Sequence, residues 1–279
     1  MATPNEPQRL YAAARRRLLV VSDDCGETWR GQSAPAEVRR EWASFNGVVL
    51  DRGGRLYLFQ TYGDTYLMST ADGGVSWRYE QTPELQCRKI PCPPGETRSS
   101  SSLIPASNVV TSPNTSGFAY ASGENGKFRG TFRTTDDGEH WDKTSESARA
   151  LIAVDVDPNV IYEAASGALS TAEPDPFVGL FRSTDGGRTS EPFTRFPSLP
   201  IAGAIAPDGS RFWVVTTSGH LYLSRDRGVS WDIVALPNAD TRLRHVSVNP
   251  LDPATLFAVA ESGELWTYGD RETDAAPVP

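Results

Sequence analysis

The sequence predicts an all-β protein built from repeated four-stranded antiparallel units. Three observations predict it. The 279 residues include 24 glycines and 21 prolines, a density that favours many turns over long helices. One eight-residue pattern recurs five times, and recurrence at near-regular intervals is the mark of a repeat architecture. Upstream of each copy comes the same succession of short β-branched and aromatic segments, which is strand chemistry.

The five copies are SDDCGETW (22–29), TADGGVSW (70–77), TTDDGEHW (134–141), STDGGRTS (183–190) and SRDRGVSW (224–231). Each opens on Ser or Thr, carries Asp at the third position and Gly at the fifth, and closes on Trp, except that Ser190 replaces Trp in the fourth. The aspartates stand at 24, 72, 136, 185 and 226, at intervals of 48, 64, 49 and 41 residues. An Asp side chain accepts hydrogen bonds from the N–H groups of its own turn and fixes the bend. The glycines Gly26, Gly74, Gly138, Gly187 and Gly228 permit a positive φ. Trp29, Trp77, Trp141 and Trp231 offer a large apolar face to a neighbouring sheet. Turn architecture is therefore preferred over a catalytic or Ca²⁺ role for Asp24, Asp72, Asp136, Asp185 and Asp226, because one site does not need five copies.

The strands follow in order. The first unit, QRLYAAARRRLLVVSDD, begins at its second strand. In the second, FNGVVLDRGGRLYLFQ gives the innermost and second strands around a DRGG turn. The fourth is the most complete: ALIAVDVDP innermost, NVIYEAAS second, VGLFRST third, and the outermost strand after the repeat turn. IAGAIAPDGSRFWVVT and RHVSVNPLDPATLFAVA open the fifth and sixth. The last unit, ending ESGELWTYGD, stops after its third strand unless the tail RETDAAPVP or the N-terminal residues supply another. Hairpins of second and third strands fall near 10–22, 55–69, 117–134, 160–183, 211–224 and 255–268; five innermost and five outermost strands accompany them.

The repeated turn resembles the Asp-box (BNR) repeat, and the resemblance covers nearly the whole chain. That repeat occurs in sialidases, sortilin-type receptor propellers, endo-xyloglucanases and a photosystem II assembly factor, all of them β-propellers. The resemblance implies a β-propeller, and the hairpin count makes it six four-stranded antiparallel blades with Asp-box turns between third and fourth strands. Residues 1–279 then form one domain, with repeats at about 8–40, 41–82, 98–145, 149–197, 200–237 and 242–270; a truncated seven-bladed parent is the alternative. Such a motif speaks to fold and says little of function.

Composition narrows the function. The net charge is −8, with no basic run beyond Arg15–Arg17, which argues against a general nucleic-acid or membrane-surface role. Apolar runs such as Leu18–Val21 are far too short to span a bilayer. The start MATPNEPQ lacks a basic region followed by an apolar one, so either a cytoplasmic chain or one beginning after processing is expected. Cys87 and Cys92, five apart, can close a small disulfide, while Cys25 stands alone. His140, His220 and His245 show no ligand spacing, so no metal and no organic cofactor is expected. The first two histidines read as surface or packing residues. A monomer is the simplest assembly.

In such a blade the turns after the first and third strands share one end, and the other connections share the opposite end. The repeated turns mark one face as scaffold, and the longer connections, chiefly 79–100 and SGALSTAEPDPFVG, place recognition on the other. Residues entering the innermost strands there are Trp42, Phe45, Arg98, Arg149, Arg242, Arg244 and His245. The arginines either form a mouth for carboxylate or phosphate groups or pair with Glu41, Glu96, Asp240 or Glu146. Arg15–Arg17 either add to that surface or pair with Asp23 or Glu37. Trp42, Phe45 and Tyr62 either form a stacking platform for a sugar or peptide or cap the core.

Resemblance to sialidases implies three arginines, a Tyr–Glu nucleophile pair and an acidic acid/base. Arg98, Arg149 and Arg244 mimic the arginines, but the FRIP-like signature is absent and Tyr162–Glu163 reads as strand. Another glycosidase needs two carboxylates facing each other, and Glu41, Asp64, Glu124, Glu173 and Asp175 are candidates that nothing sets apart. The preferred reading is a non-catalytic propeller that binds a glycan or a protein segment. A glycoside hydrolase is the alternative. An assembly factor, like the photosystem protein, predicts a protein partner on an arginine-rich patch.

Overall fold

The computed structural model describes residues 9–14, 18–24, 27–33, 45–60, 66–80, 108–125, 128–147, 149–164, 177–236, 238, 240–249, 252–269 and 275–277. All regular structure among them is β, in six antiparallel sheets. The chain divides into two compact units, Met1–Leu151 and Ile152–Pro279.

The first unit holds three sheets. One is β1 (Leu10–Ala14), β2 (Leu18–Ser22) and β3 (Arg30–Ser33), three-stranded among the described residues. The second is β4 (Phe45–Leu50), β5 (Leu56–Gln60), β6 (Tyr66–Thr70) and β7 (Arg78–Glu80). The third is β8 (Asn108–Thr111), β9 (Ala119–Asn125), β10 (Phe128–Thr134) and β11 (Asp142–Ser145). The fourth sheet, β12 (Ala150–Val154), β13 (Ile161–Ala164), β14 (Gly179–Ser183) and β15 (Glu191–Arg195), begins at the unit boundary.

Two more sheets complete the second unit: β16 (Pro200–Ile205), β17 (Phe212–Thr216), β18 (Leu221–Ser224) and β19 (Asp232–Val234), then β20 (Leu243–Asn249), β21 (Asp252–Ala260), β22 (Leu265–Gly269) and β23 (Ala275–Pro277). The last strand settles the question the sequence left open. The tail supplies the outermost strand, pairing Trp266 with Pro277 and Tyr268 with Ala275.

The second strand β17 is buried on both faces, so FWVV reads as an unbroken apolar run rather than an alternating one. Successive residues serve opposite neighbours. In β17, Phe212 and Val214 join Tyr162, Leu180 and Tyr222 in one core, while Trp213 and Val215 join Leu221, Leu256 and Ala258 in the next. In the first unit, Leu56 and Leu58 of β5 pack with Tyr11, Leu19 and Val21, and Tyr57 packs with Val109, Ala121 and Phe132.

The repeated turns share one hydrogen-bond plan. In the second copy the Thr70 hydroxyl donates to Asp72 Oδ1 at 2.7 Å and accepts the Gly74 N–H at 2.9 Å. Asp72 accepts the Ser76 N–H at 2.9 Å and the Ser76 hydroxyl at 2.5 Å. In the fifth copy Ser224, Asp226, Gly228 and Ser230 repeat these bonds at 2.5–2.8 Å. His140 replaces the closing hydroxyl in the third, its Nδ1 2.6 Å from Asp136 Oδ2. The opening Ser or Thr is thus as necessary as the Asp, a role its position alone does not reveal. The donors stabilise the ionised carboxylates: the Ser230 hydroxyl first, then its amide and the Ser224 hydroxyl, hold Asp226 down to about 2.

Gly74, Gly138, Gly187 and Gly228 have φ between 81° and 93°. The preceding residue is left-handed too, and twice it is not glycine: Asp137 at 64° and Arg227 at 57°. The carbonyls of both accept a hydrogen bond from the preceding sheet, from the Ser69 hydroxyl at 3.2 Å and the Tyr162 hydroxyl at 3.3 Å. Trp231 donates to Gly228 O at 3.0 Å and packs edge-on against Phe196 and Phe212 at about 5 Å. Trp141 meets Tyr57 at 6.4 Å. Trp29 departs from the expected burial and stays 46% exposed. In the fourth copy Ser190 donates to Glu163 at 2.5 Å, and Glu163 is buried at the register where β5, β9 and β17 carry Leu58, Ala121 and Val214. Gly26 lies outside the described residues.

Candidate functional site

Trp42, Tyr62, Arg98, Cys87 and Cys92 lie outside the described residues, as do Arg15–Arg17 and the carboxylates Glu41, Asp64, Glu173 and Asp175. Phe45 opens β4 and Glu124 lies on β9, with neither side chain described. Arg149 precedes β12, half-buried and engaged. Arg242, Arg244 and His245 come together where the chain enters β20.

That entry is stitched to two hairpin turns of the second unit. Between β17 and β18, Gly219 N–H donates to Thr216 O at 2.8 Å, with Gly219 at φ 84°; this is a short loop that needs glycine at its left-handed position. Between β21 and β22, Gly263 N–H donates to Ala260 O at 3.0 Å in the same way. Each turn clasps the strand entry of its own sheet: Thr217 N–H donates to Leu199 O, and Glu261 N–H to Arg242 O, both at 2.7 Å. Leu243 N–H reaches Gly219 O at 3.4 Å and joins the two clasps. A continuous backbone rim results, at the opposite end of the sheets from the repeated turns.

The rim is polar. Ser218 Oγ lies 2.8 Å from Ser198 Oγ, and 3.0 Å from both Thr216 Oγ1 and His220 Nδ1. Arg244 donates to Glu261 at 2.5 Å, so its partner is none of the four acids the sequence suggests; Glu146 instead takes Lys143 at 2.8 Å. The signal that finds Glu261 is the alignment of AESGEL with TTSGHL, which puts Glu261 at the position of Thr217, the residue that clasps the strand entry of its own sheet. Asp23, a suggested partner of Arg15–Arg17, binds Arg9 and Arg30. Arg242 is exposed and makes no ion pair among the described residues. His245 is exposed as a residue, yet lost hydration among the surrounding atoms, followed by the Arg244 charge, lowers its pKa and favours the neutral ring.

The connections between second and third strands are shorter than expected. Two residues separate β9 from β10, and four separate the strands of the later hairpins. The long one is 165–178, between β13 and β14. Tyr162 and Glu163, where a sialidase pair was considered, are buried strand residues; the Tyr162 hydroxyl bonds Asp155 at 3.1 Å.

No family model matches the chain, and no curated protein matches it in sequence. Solved structures do. YCF48 from Cyanidioschyzon merolae is similar over all of this chain and 84% of its own, at 14% identity and a TM-score of 0.60. YCF48 bound to D1 peptide is similar over 99% of this chain and 82% of its own, at 16% identity and a TM-score of 0.55. The GH74 xyloglucanase from Xanthomonas campestris covers all of this chain with 44% of its own length, at 15% identity and a TM-score of 0.64. These are β-propeller proteins, and at such identities the likeness concerns the fold alone.

Proposed function

We propose that this chain is a recognition propeller without catalytic activity that holds a protein segment on the face bearing the rim. Its six sheets are the six blades of one domain, and its five repeated turns are Asp-boxes that serve as scaffold. The observation that carries the reading is the rim itself. Two main-chain clasps and the bond that joins them fix exposed Ser218 and His220 on a short, glycine-dependent turn and Arg242 at the strand entry beside it, and rigid presentation of adaptable polar groups is what binding surfaces need. Arg244 and His245 lie beside Arg242 at the same strand entry; Arg149, Trp42, Phe45, Tyr62 and Arg98 stay the further ligand-binding candidates of the sequence. The structure of YCF48 bound to D1 peptide supports a peptide rather than a glycan as ligand class.

A glycosidase is the second reading, favoured by the likeness to the xyloglucanase. It requires a carboxylic acid with a raised pKa as proton donor, whereas the carboxylate shifts resolved among the described residues, as at Asp24, Asp208 and Asp226, run downward. The test is to probe peptide and glycan arrays with the purified protein and with Arg242→Ala, alongside turnover of xyloglucan and fluorogenic glycosides. Peptide binding weakened about tenfold or more by Arg242→Ala is expected. Glycan binding alone changes the ligand class, and turnover installs the glycosidase.

A further inference from the structure

We propose that the turn between β17 and β18, with Arg242 across it, is a binding site for a phosphate monoester dianion. This rests on the reading of the rim as a recognition surface and names the chemistry it recognises. Ser218 is the hub. Its hydroxyl has one proton and two lone pairs, so three neighbours at 2.8–3.0 Å saturate it: it donates once and accepts twice. When Ser218 donates to His220 Nδ1, the imidazole carries its proton on Nε2, away from the hub. When His220 is the imidazolium, Nδ1–H points at Ser218, Nε2–H still points away, and one of Ser198 or Thr216 turns its own proton outward. In both of these arrangements the exposed ring offers an N–H donor, and a bound dianion selects them over the neutral Nδ1–H tautomer, whose Nε2 can only accept.

Arg242 supplies the charge. A Cβ on Gly219 would lie 2.7 Å from Arg242 Cα and 3.0 Å from its Cγ, so the arginine stem runs directly over the turn. Only a glycine leaves it that path. The guanidinium is exposed, and unlike that of Arg244 it makes no ion pair among the described residues.

The donors therefore come from a guanidinium of the β20 entry and an imidazole of the hairpin, joined from a third direction by the Ser198 hydroxyl when His220 is the imidazolium and Ser218 donates to Ser198. A carboxylate is satisfied by one guanidinium fork. A tetrahedral dianion with three terminal oxygens uses donors from three directions, and hydrogen bonds to charged groups are the stronger kind. The segment bound at the rim is then one that presents a phosphoryl group, unless the site takes free phosphate.

The test is an NMR titration of the full-length chain with inorganic phosphate, with acetate at matched ionic strength, and with one peptide in phosphoserine and unmodified forms. Saturable shifts confined to the His220 ring and the Ser218 and Gly219 amides are expected with phosphate. His220→Ala and Arg242→Ala should each weaken them about tenfold, with the remaining spectrum kept. Arg225→Ala, whose ion pair with Asp232 lies at the repeated-turn end, should leave them alone. Tighter binding of the phosphopeptide marks a segment as the source, and phosphate alone marks the free anion. Equal response to acetate, shifts spread over many arginines, or none at these residues overturns the site. A peptide captured on the rim regardless of phosphorylation overturns it too, while leaving the recognition reading intact.

Discussion

The two ends of the fifth sheet are built by opposite rules. At the β18–β19 end, Ser224, Asp226, Gly228, Ser230 and Trp231 repeat a plan used in other sheets, with the Ser, Asp and Trp side chains bonded inside the turn. At the β17–β18 end, Ser218 and Gly219 reach outside the hairpin, to Ser198 and to the β20 entry, and His220 joins them through Ser218. The first arrangement is closed and repeatable, which suits a scaffold. The second leaves side chains with donors to spare, which suits recognition. Substitutions at the first end should move stability and leave binding alone, and those at the second should do the reverse.

Trp231→Ala should have the largest effect. It removes two aromatic contacts and an N–H bond from the core beside Phe196 and Phe212, a loss of about 3 kcal/mol by the usual cost of truncating aromatic residues. Denaturant unfolding measures it, and an unchanged midpoint would place the Trp outside the scaffold. Gly219→Ala comes next: its φ of 84° and the 2.7 Å approach of Arg242 predict a loss above about 1 kcal/mol, together with displacement of the β20 entry. It is the one rim substitution expected to affect both stability and binding.

Asp226→Asn probes acid stability. The folded pKa of about 2 is below that of a free Asp, so the contribution is complete above about pH 4. It is lost as pH falls through the folded value. Acid-unfolding curves of the variant should show less dependence on pH below about 4. In the other direction, Arg227→Gly relieves a left-handed non-glycine residue and should gain up to about 1 kcal/mol, since the Arg227 carbonyl that binds Tyr162 is kept. The smallest effect on stability, within about 0.5 kcal/mol, is expected for Arg242→Ala.

These differences follow what a sequence can encode. The turns were legible because Asp, Gly and Trp at fixed offsets act within eight residues. Asp137 and Arg227 in left-handed backbone were not, because closure of the turn, rather than residue preference, imposes that geometry. The outermost strand of the sixth sheet stayed open between the tail and the N-terminal residues because AAP has no strand pattern and forms by pairing with β22. Glu261 was missed as the partner of Arg244 because the two lie on separate segments brought together by the clasp at Arg242 O. His220 read as a surface residue, since its bond to Ser218 is local while the link to Ser198 spans two segments.

The central claim is the division of labour between the two ends, and one paired measurement tests it most directly. Binding of array-selected peptides and unfolding free energy are measured on the same preparations of wild type, Trp231→Ala and Arg242→Ala, at a temperature where all three are folded. Trp231→Ala should lose stability and keep its affinity, while Arg242→Ala should keep its stability and lose about tenfold in affinity. The reverse pattern, or loss of both properties in both variants, would contradict it.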